Sequence, residues 1–259
     1  MLSVIRASLR LSFFISGTLF YIFRYMFKAF FVGNDLDRAL RLRRQWTRIF
    51  HPVLGVQIET FGNPPTEAGL LVCNHRSYYD PFLILGKVLA LPVGKIEVTK
   101  WPVIGLAGKV SGAVFVDRHT KEGRQSAREE ILETLQNGYC VINYPEGTTH
   151  ANHQTIDFKP GLFRDAAKEQ FIIYPIVHEY QRDEDAWIGD DTFLRHFFEC
   201  FGKRKTYVRL SYGPQVKSET PEELLQKSKQ WIDKELLRLR KDWHFSDPSM
   251  IKDESKKMV

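Results

Sequence analysis

The chain has 259 residues, 43% of them apolar, which suffices to bury one full core and shows no repeat, low-complexity tract or second globular unit. Its three cysteines, Cys73, Cys140 and Cys200, are odd in number and two sit inside apolar runs, which argues against a disulfide framework or a zinc site. The net charge is +6, but residues 1–50 alone hold nine Lys/Arg against two Asp, a net +7, so the rest is close to neutral; a nucleic-acid face spread over the globular part is not expected.

That basic excess coincides with the most apolar segment. Residues 11–23 form a thirteen-residue uncharged run between Arg10 and Arg24, short of the roughly 18 to 20 residues of a plain membrane span. Snorkelling arginines and the aromatic run 27–31 would lengthen it. A second helix at 36–50 interleaves arginines with Leu40, Leu42, Trp46, Ile49 and Phe50, a pattern suited to an anionic headgroup zone. A single-span anchor and a hairpin immersed in one leaflet both fit; a cleaved signal peptide does not, since no small-residue cleavage site follows. The expected division is a membrane-associated hairpin at 1–52, an α/β domain at 53–246 and a frayed tail at 247–259.

Strands are predicted at 56–61 and 70–74, and the second runs into Asn74-His75-Arg76-Ser77-Tyr78-Tyr79-Asp80. Asp80-Pro81 opens a helix over 82–89, with proline near its favoured first position, so His75 lies in a strand-to-helix loop. Asp80 has two available roles there. It caps the helix, or it accepts the proton-bearing nitrogen of His75 and leaves the other nitrogen as a base.

Further along, a strand at 95–98 carries Lys95 and Glu97, a helix follows at 104–110, and a strand at 113–116 leads to Arg118. After a helix at 124–137, the strand 139–144 is followed by Pro145-Glu146-Gly147-Thr148-Thr149. A helix at 162–169 and a strand at 172–177 come next, then a polar region from His178 to Asp191 containing Trp187-Ile188-Gly189. Residues 193–201 read as a short aromatic helix, 207–212 as a strand, and Thr220-Pro221-Glu222-Glu223 as the start of a long amphipathic helix. Strands alternating with helices predict an α/β fold with a mixed, largely parallel central sheet flanked by helices, and His75, Arg118 and Glu146 each follow a strand. His150 and His153 lack an evident third ligand, so no metal site is expected, and no G-x-S-x-G elbow marks a serine hydrolase.

The ordered blocks NHxxxxD (His75, Asp80), GxxFxxR (Arg118), EGT (Glu146, Gly147, Thr148) and a proline-containing strand (Tyr174-Pro175-Ile176-Val177) resemble the glycerolipid acyltransferase family, whose type member is 1-acyl-sn-glycerol-3-phosphate acyltransferase. The resemblance covers most of the chain. It implies a catalytic base at His75 oriented by Asp80, with Lys95, Arg118, Glu146, Gly147 and Thr148 binding the acceptor. It also implies an acyl thioester of coenzyme A or acyl carrier protein as co-substrate, no cofactor or metal, a lysolipid acceptor, and attachment to the bilayer at its cytoplasmic face by a two-helix hairpin. Surface ion pairs are the alternative for Lys95 and Arg118, and a turn role for Glu146. One departure is chemical: Thr149 stands where the commonest family form has an arginine, and a hydroxyl cannot replace a guanidinium fork on phosphate. An EGT-Thr ending is similar to that of relatives acting on lyso-ornithine and other amino-acid lipids. The expected acceptor is lysophosphatidic acid first, a lyso-aminolipid second, with an inactive membrane-binding module as the alternative of another class.

Overall fold

The computed structural model describes residues 1–189 and 191–244; the tail expected at 247–259 lies outside the described residues. Seven strands form one sheet in the order β1-β7-β6-β2-β5-β3-β4: β1 (Val56–Phe61), β2 (Leu70–Cys73), β3 (Ala90–Lys95), β4 (Val114–Val116), β5 (Cys140–Asn143), β6 (Ile173–Tyr180) and β7 (Thr206–Tyr212). Every pairing is parallel except β6 with β7. The helices are α1 (Leu2–Val32), α2 (Leu36–Leu54), α3 (Asp80–Leu85), α4 (Ile104–Val110), α5 (Lys121–Gln136), α6 (Gly161–Lys168), α7 (Phe193–Phe201) and α8 (Pro221–His244).

Period-two alternation builds a core on each face of the sheet. Leu70, Val72, Val141, Ile173 and Val177 pack under α5, α6 and α8, against Ile131, Phe163 and Leu236. Leu71, Cys73, Ile142 and Ile176 face the other way, onto Ile84 and Leu85 of α3. Beyond them Phe14, Trp46, Phe50, Leu83 and Phe201 join α1, α2, α3 and α7.

Two strands differ from expectation. The third was expected at 95–98, but it occupies Ala90–Lys95, and residues Ile96–Lys100 form a 3-10 turn. Pro92 and Gly94 inside β3 removed the usual strand signature. α3 accordingly ends at Leu85 instead of running to 89. β6 continues through His178, Glu179 and Tyr180, all buried, where polarity suggested a loop.

The N-terminal hairpin is an integral layer. α1 is one 31-residue helix, long and apolar enough to cross a membrane by length and composition. The thirteen-residue reading stopped at Arg10 and Arg24, and arginine does not interrupt a helix. Trp46 of α2 lies flat against Gly17, where a Cβ would stand 2.1 Å from the indole, and donates from Nε1 to Thr18 Oγ1 at 3.0 Å. Only glycine permits that approach. Phe20, Phe23, Phe27, Phe30 and Phe31 remain exposed.

Arginines fix the near end of α1 to the domain. Arg6 donates to Gly202 O (2.7 Å), and Arg10 donates to Phe201 O (2.8 Å), Lys203 O (2.6 Å) and Val53 O (3.0 Å), the carbonyls left open where α7 and α2 end. Replacing Arg10 with Met is expected to remove about 1.5 kcal/mol or more of local stability, roughly tenfold faster amide exchange. Hydrogen exchange would show it in the first half of α1 and the end of α7, with the sheet unchanged.

Candidate active site

The parallel strands β2, β5, β3 and β4 end on one side of the sheet, where Lys95 is the last residue of β3 and the loops that follow the other three carry His75, Glu146 and Arg118. This is where α/β sheets bind ligands. Asp80 is the centre of the first loop. It is fully buried in the first turn of α3, and its carboxylate turns back on the loop: Oδ2 accepts from His75 Nδ1 (2.8 Å), Arg76 N–H (2.6 Å) and Ser77 N–H (2.8 Å), and Oδ1 accepts from the Tyr180 hydroxyl (2.8 Å). Of the two arrangements open to Asp80, the carboxylate takes the one bonded to His75 Nδ1, and its remaining bonds on Oδ2 go to the loop 74–79 instead of the helix.

His178 Nε2 lies 3.0 Å from the same Oδ2, close enough for an ion pair, though outside hydrogen-bonding alignment. Burial pushes the Asp80 carboxyl up, but the nearby charge of His178 and the bond from His75 outweigh it and hold the group well below the usual carboxylate range. With Nδ1 committed to Asp80, His75 keeps Nε2 for chemistry, and its ring stacks on Tyr144 at 4.1 Å and 20°.

His75 opens onto a cavity of about 750 Å³ that also touches Lys95, Arg118, Gly147, Thr148, Thr149 and Lys159 and extends between α1 and α2 along Phe14, Trp46 and Phe50. Arg118 donates from Nη1 to Gly147 O at 2.5 Å, which joins the GxxFxxR and EGT blocks. Burial lowers the Arg118 pKa against the opposing effect of Glu97. Glu97 itself pairs with His119 at 3.3 Å on the surface. Five of the seven anticipated residues, His75, Lys95, Arg118, Gly147 and Thr148, thus share one cavity wall, and Asp80 stands behind His75.

Glu146 is placed differently. Its side chain is buried off the cavity wall, with Oε2 accepting from His75 N–H (2.6 Å) and Oε1 from Ile156 N–H (3.3 Å), 2.7 Å from His150 Nε2. Gly147 holds φ +73°, and a Cβ there would stand 2.5 Å from Lys159 Nζ. Gly147→Ala is therefore expected to cost about 1 to 2 kcal/mol from the left-handed backbone alone, since the lysine end can swing away. A urea melt would measure it.

The N–H groups at the start of α3 and at Gly147, the nearest backbone candidates for holding an oxyanion, are already engaged. Asp80 N–H and Phe82 N–H are bound to Ser77 O and Tyr79 O, Pro81 has none, and Gly147 N–H is bound to Tyr144 O. Thr149 donates its hydroxyl to Trp187 O, so it fastens the 187 loop to the site. The residues that sequence reasoning missed are Arg76, His178, Glu179 and Tyr180, because each lies within or beside a hydrophobic strand or a motif's variable positions. His150 was weighed only as a metal ligand.

A family model described as Acyltransferase matches residues 56–179, the stretch from β1 to β6 that carries all four blocks. That match supports the glycerolipid acyltransferase family. The chain is an acyltransferase of lipid biosynthesis. Among relatives, a lyso-ornithine lipid O-acyltransferase of Rhizobium meliloti (strain 1021) is 27% identical over 201 residues, 70% of this chain and 69% of that protein. The 1-acyl-sn-glycerol-3-phosphate acyltransferase alpha of Homo sapiens is 31% identical over 160 residues, 58% of this chain and 55% of that one. In fold, this acyltransferase is similar to the 1-acyl-sn-glycerophosphate (LPA) acyltransferase PlsC from Thermotoga maritima, with a TM-score of 0.69 at 21% identity over 93% of this chain and 98% of that one.

Proposed function

We propose that the protein transfers an acyl chain from a thioester of coenzyme A or acyl carrier protein to the free hydroxyl of a lysolipid, with His75 as general base. The observation that carries this reading is the bond from His75, on the wall of a largely apolar cavity, to the buried carboxylate of Asp80 behind it. His75 Nε2 removes the hydroxyl proton as that oxygen attacks the thioester carbonyl carbon. The tetrahedral intermediate collapses with C–S cleavage, and the imidazolium returns its proton to the departing thiolate. Asp80 stabilises the imidazolium while it lasts. These steps call for no covalent acyl-enzyme, cofactor or metal. Thr148, beside the engaged Gly147, is the remaining oxyanion donor in the EGT block.

For the acceptor we favour an amino-acid lipid such as lyso-ornithine lipid. Thr149 takes the place of a phosphate-gripping arginine and its hydroxyl is occupied by Trp187 O, and the Rhizobium meliloti relative, matched over 70% of this chain, is named for that substrate. Lysophosphatidic acid is the second reading, supported by Lys95, Arg118 and Lys159 on the cavity wall. The exposed apolar face of α1 and the arginines of α2 bring the site to the cytoplasmic face of an anionic bilayer.

The deciding experiment presents purified protein in detergent with both donors and a panel of lysophosphatidic acid, other lysophospholipids and lyso-ornithine lipid, following free thiol and diacyl product. Turnover only with lyso-ornithine lipid supports the favoured acceptor, and turnover with lysophosphatidic acid the second. Folded protein that releases no thiol with any acceptor from either donor would end the acyltransfer mechanism assigned to His75.

A further inference from the structure

The base is held at two points, and only one of them lies in the NHxxxxD motif. Asp80 holds the His75 ring. The main-chain N–H of His75 is held by Glu146 Oε2 at 2.6 Å, and that carboxylate, with no exposed side-chain surface, is itself held by His150 Nε2 at 2.7 Å from Oε1. On the far side of the His150 ring, Nδ1 faces two donors: Arg76 Nη1 at 3.0 Å and the N–H of Asn152 at 3.1 Å. A guanidinium has only protons to offer, so Nδ1 accepts and the ring proton resides on Nε2, aimed at Glu146.

Arg76 is itself immobilised. It is 2% exposed, its Nε and Nη2 donate to Glu179 Oε2 at 3.3 and 3.2 Å, and Arg240 of α8 donates to the other Glu179 oxygen at 2.7 Å. The two loops also clasp directly, His150 N–H to His75 O at 3.4 Å and Arg76 Nη1 to His150 O at 2.9 Å. Neither Glu146 nor His150 lies on the cavity wall.

We propose that His150, kept in its Nε2–H tautomer by Arg76, is a positioning residue that locks Glu146 beneath the main chain of His75 and so fixes where the base stands. The inference rests on His75 being the base of the proposed acyl transfer. Without His150, Oε1 keeps a single long bond to Ile156 N–H, and the buried carboxylate shifts toward water, carrying the His75 loop with it. A displacement near 1 Å at the base costs on the order of 10² in rate.

The test uses full-length protein in detergent, with an acyl-thioester donor and the lysolipid that wild type turns over. His150→Ala is expected to lower kcat by about 10- to 100-fold while both KM values stay within about twofold, because the residue touches neither substrate. His150→Gln, whose amide supplies one acceptor and one donor, should recover most of that loss. Imidazole nitrogen spectra of histidine-labelled wild type should show His150 as the Nε2–H tautomer. The inference is overturned if the loss appears in KM, if kcat in the alanine variant stays within about twofold of wild type, if glutamine does no better than alanine, or if the proton is on Nδ1. Should His150→Ala not fold, the glutamine variant's kcat and the wild-type tautomer decide. Wild type that shows the tautomer but transfers no acyl chain refutes the proposed function and leaves the clasp geometry standing.

Discussion

His75→Ala is expected to lower acyl transfer by about 10² to 10⁴, the usual worth of a placed general base, and to leave the fold intact. The second half follows from what the ring touches. Its side chain is 21% exposed, it stacks on Tyr144, and it makes one hydrogen bond, to Asp80. When the ring is removed, Asp80 keeps Arg76 N–H, Ser77 N–H and the Tyr180 hydroxyl, with His178 still 3.0 Å away, so no buried charge is stranded. The main-chain bond to Glu146 survives as well, because it uses the backbone N–H. Thiol release and diacyl product would be followed beside a thermal melt. An alanine variant within about threefold of wild type would remove His75 from the mechanism, since even the weakest general bases contribute more.

The sheet was legible where each strand followed the period-two or continuously apolar pattern, as at β1, β2 and β5. It was not legible at β3, where Pro92 and Gly94 imitate a turn, or at β6, where His178, Glu179 and Tyr180 are polar yet buried. Those three become intelligible only through partners about a hundred residues away: Tyr180 bonds Asp80, Glu179 bonds Arg76, and the main chain of His178 is bracketed by the Asn74 amide. The site divides in the same way. Motif spacing indicated the His75–Asp80 pair and a common rim for the loops of His75, Arg118 and Glu146, because a short loop or a common strand end forces those segments together. It gave no sign that Glu146 faces inward, since the direction of a turn carboxylate depends on what lies beneath it. Here that is the His75 N–H and the His150 ring.

Asp80→Asn should affect both activity and stability, and its stability effect has a pH signature. The amide keeps one oxygen, but its Nδ2 is directed at donors: either the Tyr180 hydroxyl or the cluster of His75 Nδ1, Arg76 N–H and Ser77 N–H. Breaking a buried charged network in this way costs about 3 to 5 kcal/mol at neutral pH. Losing the orienter leaves the His75 tautomer unspecified, and in the comparable serine-hydrolase dyad that change costs about 10⁴ in kcat. The pH dependence follows from the depressed carboxyl. Its folded-state pKa lies below the unfolded value of about 3.9, so the unfolded chain takes up the proton first as pH falls. The stability contributed by Asp80 is therefore fully present above pH about 4 and declines below it. The asparagine variant has no such proton to take up. Urea melts from pH 5 to pH 3, below the range in which histidines take up protons, should show a near-constant gap between wild type and variant down to about pH 4 and a narrowing gap beneath it. A gap that fails to narrow below about pH 4 would mean that the Asp80 carboxyl is not depressed in the folded protein, and the ionised orienter of His75 would have to be abandoned.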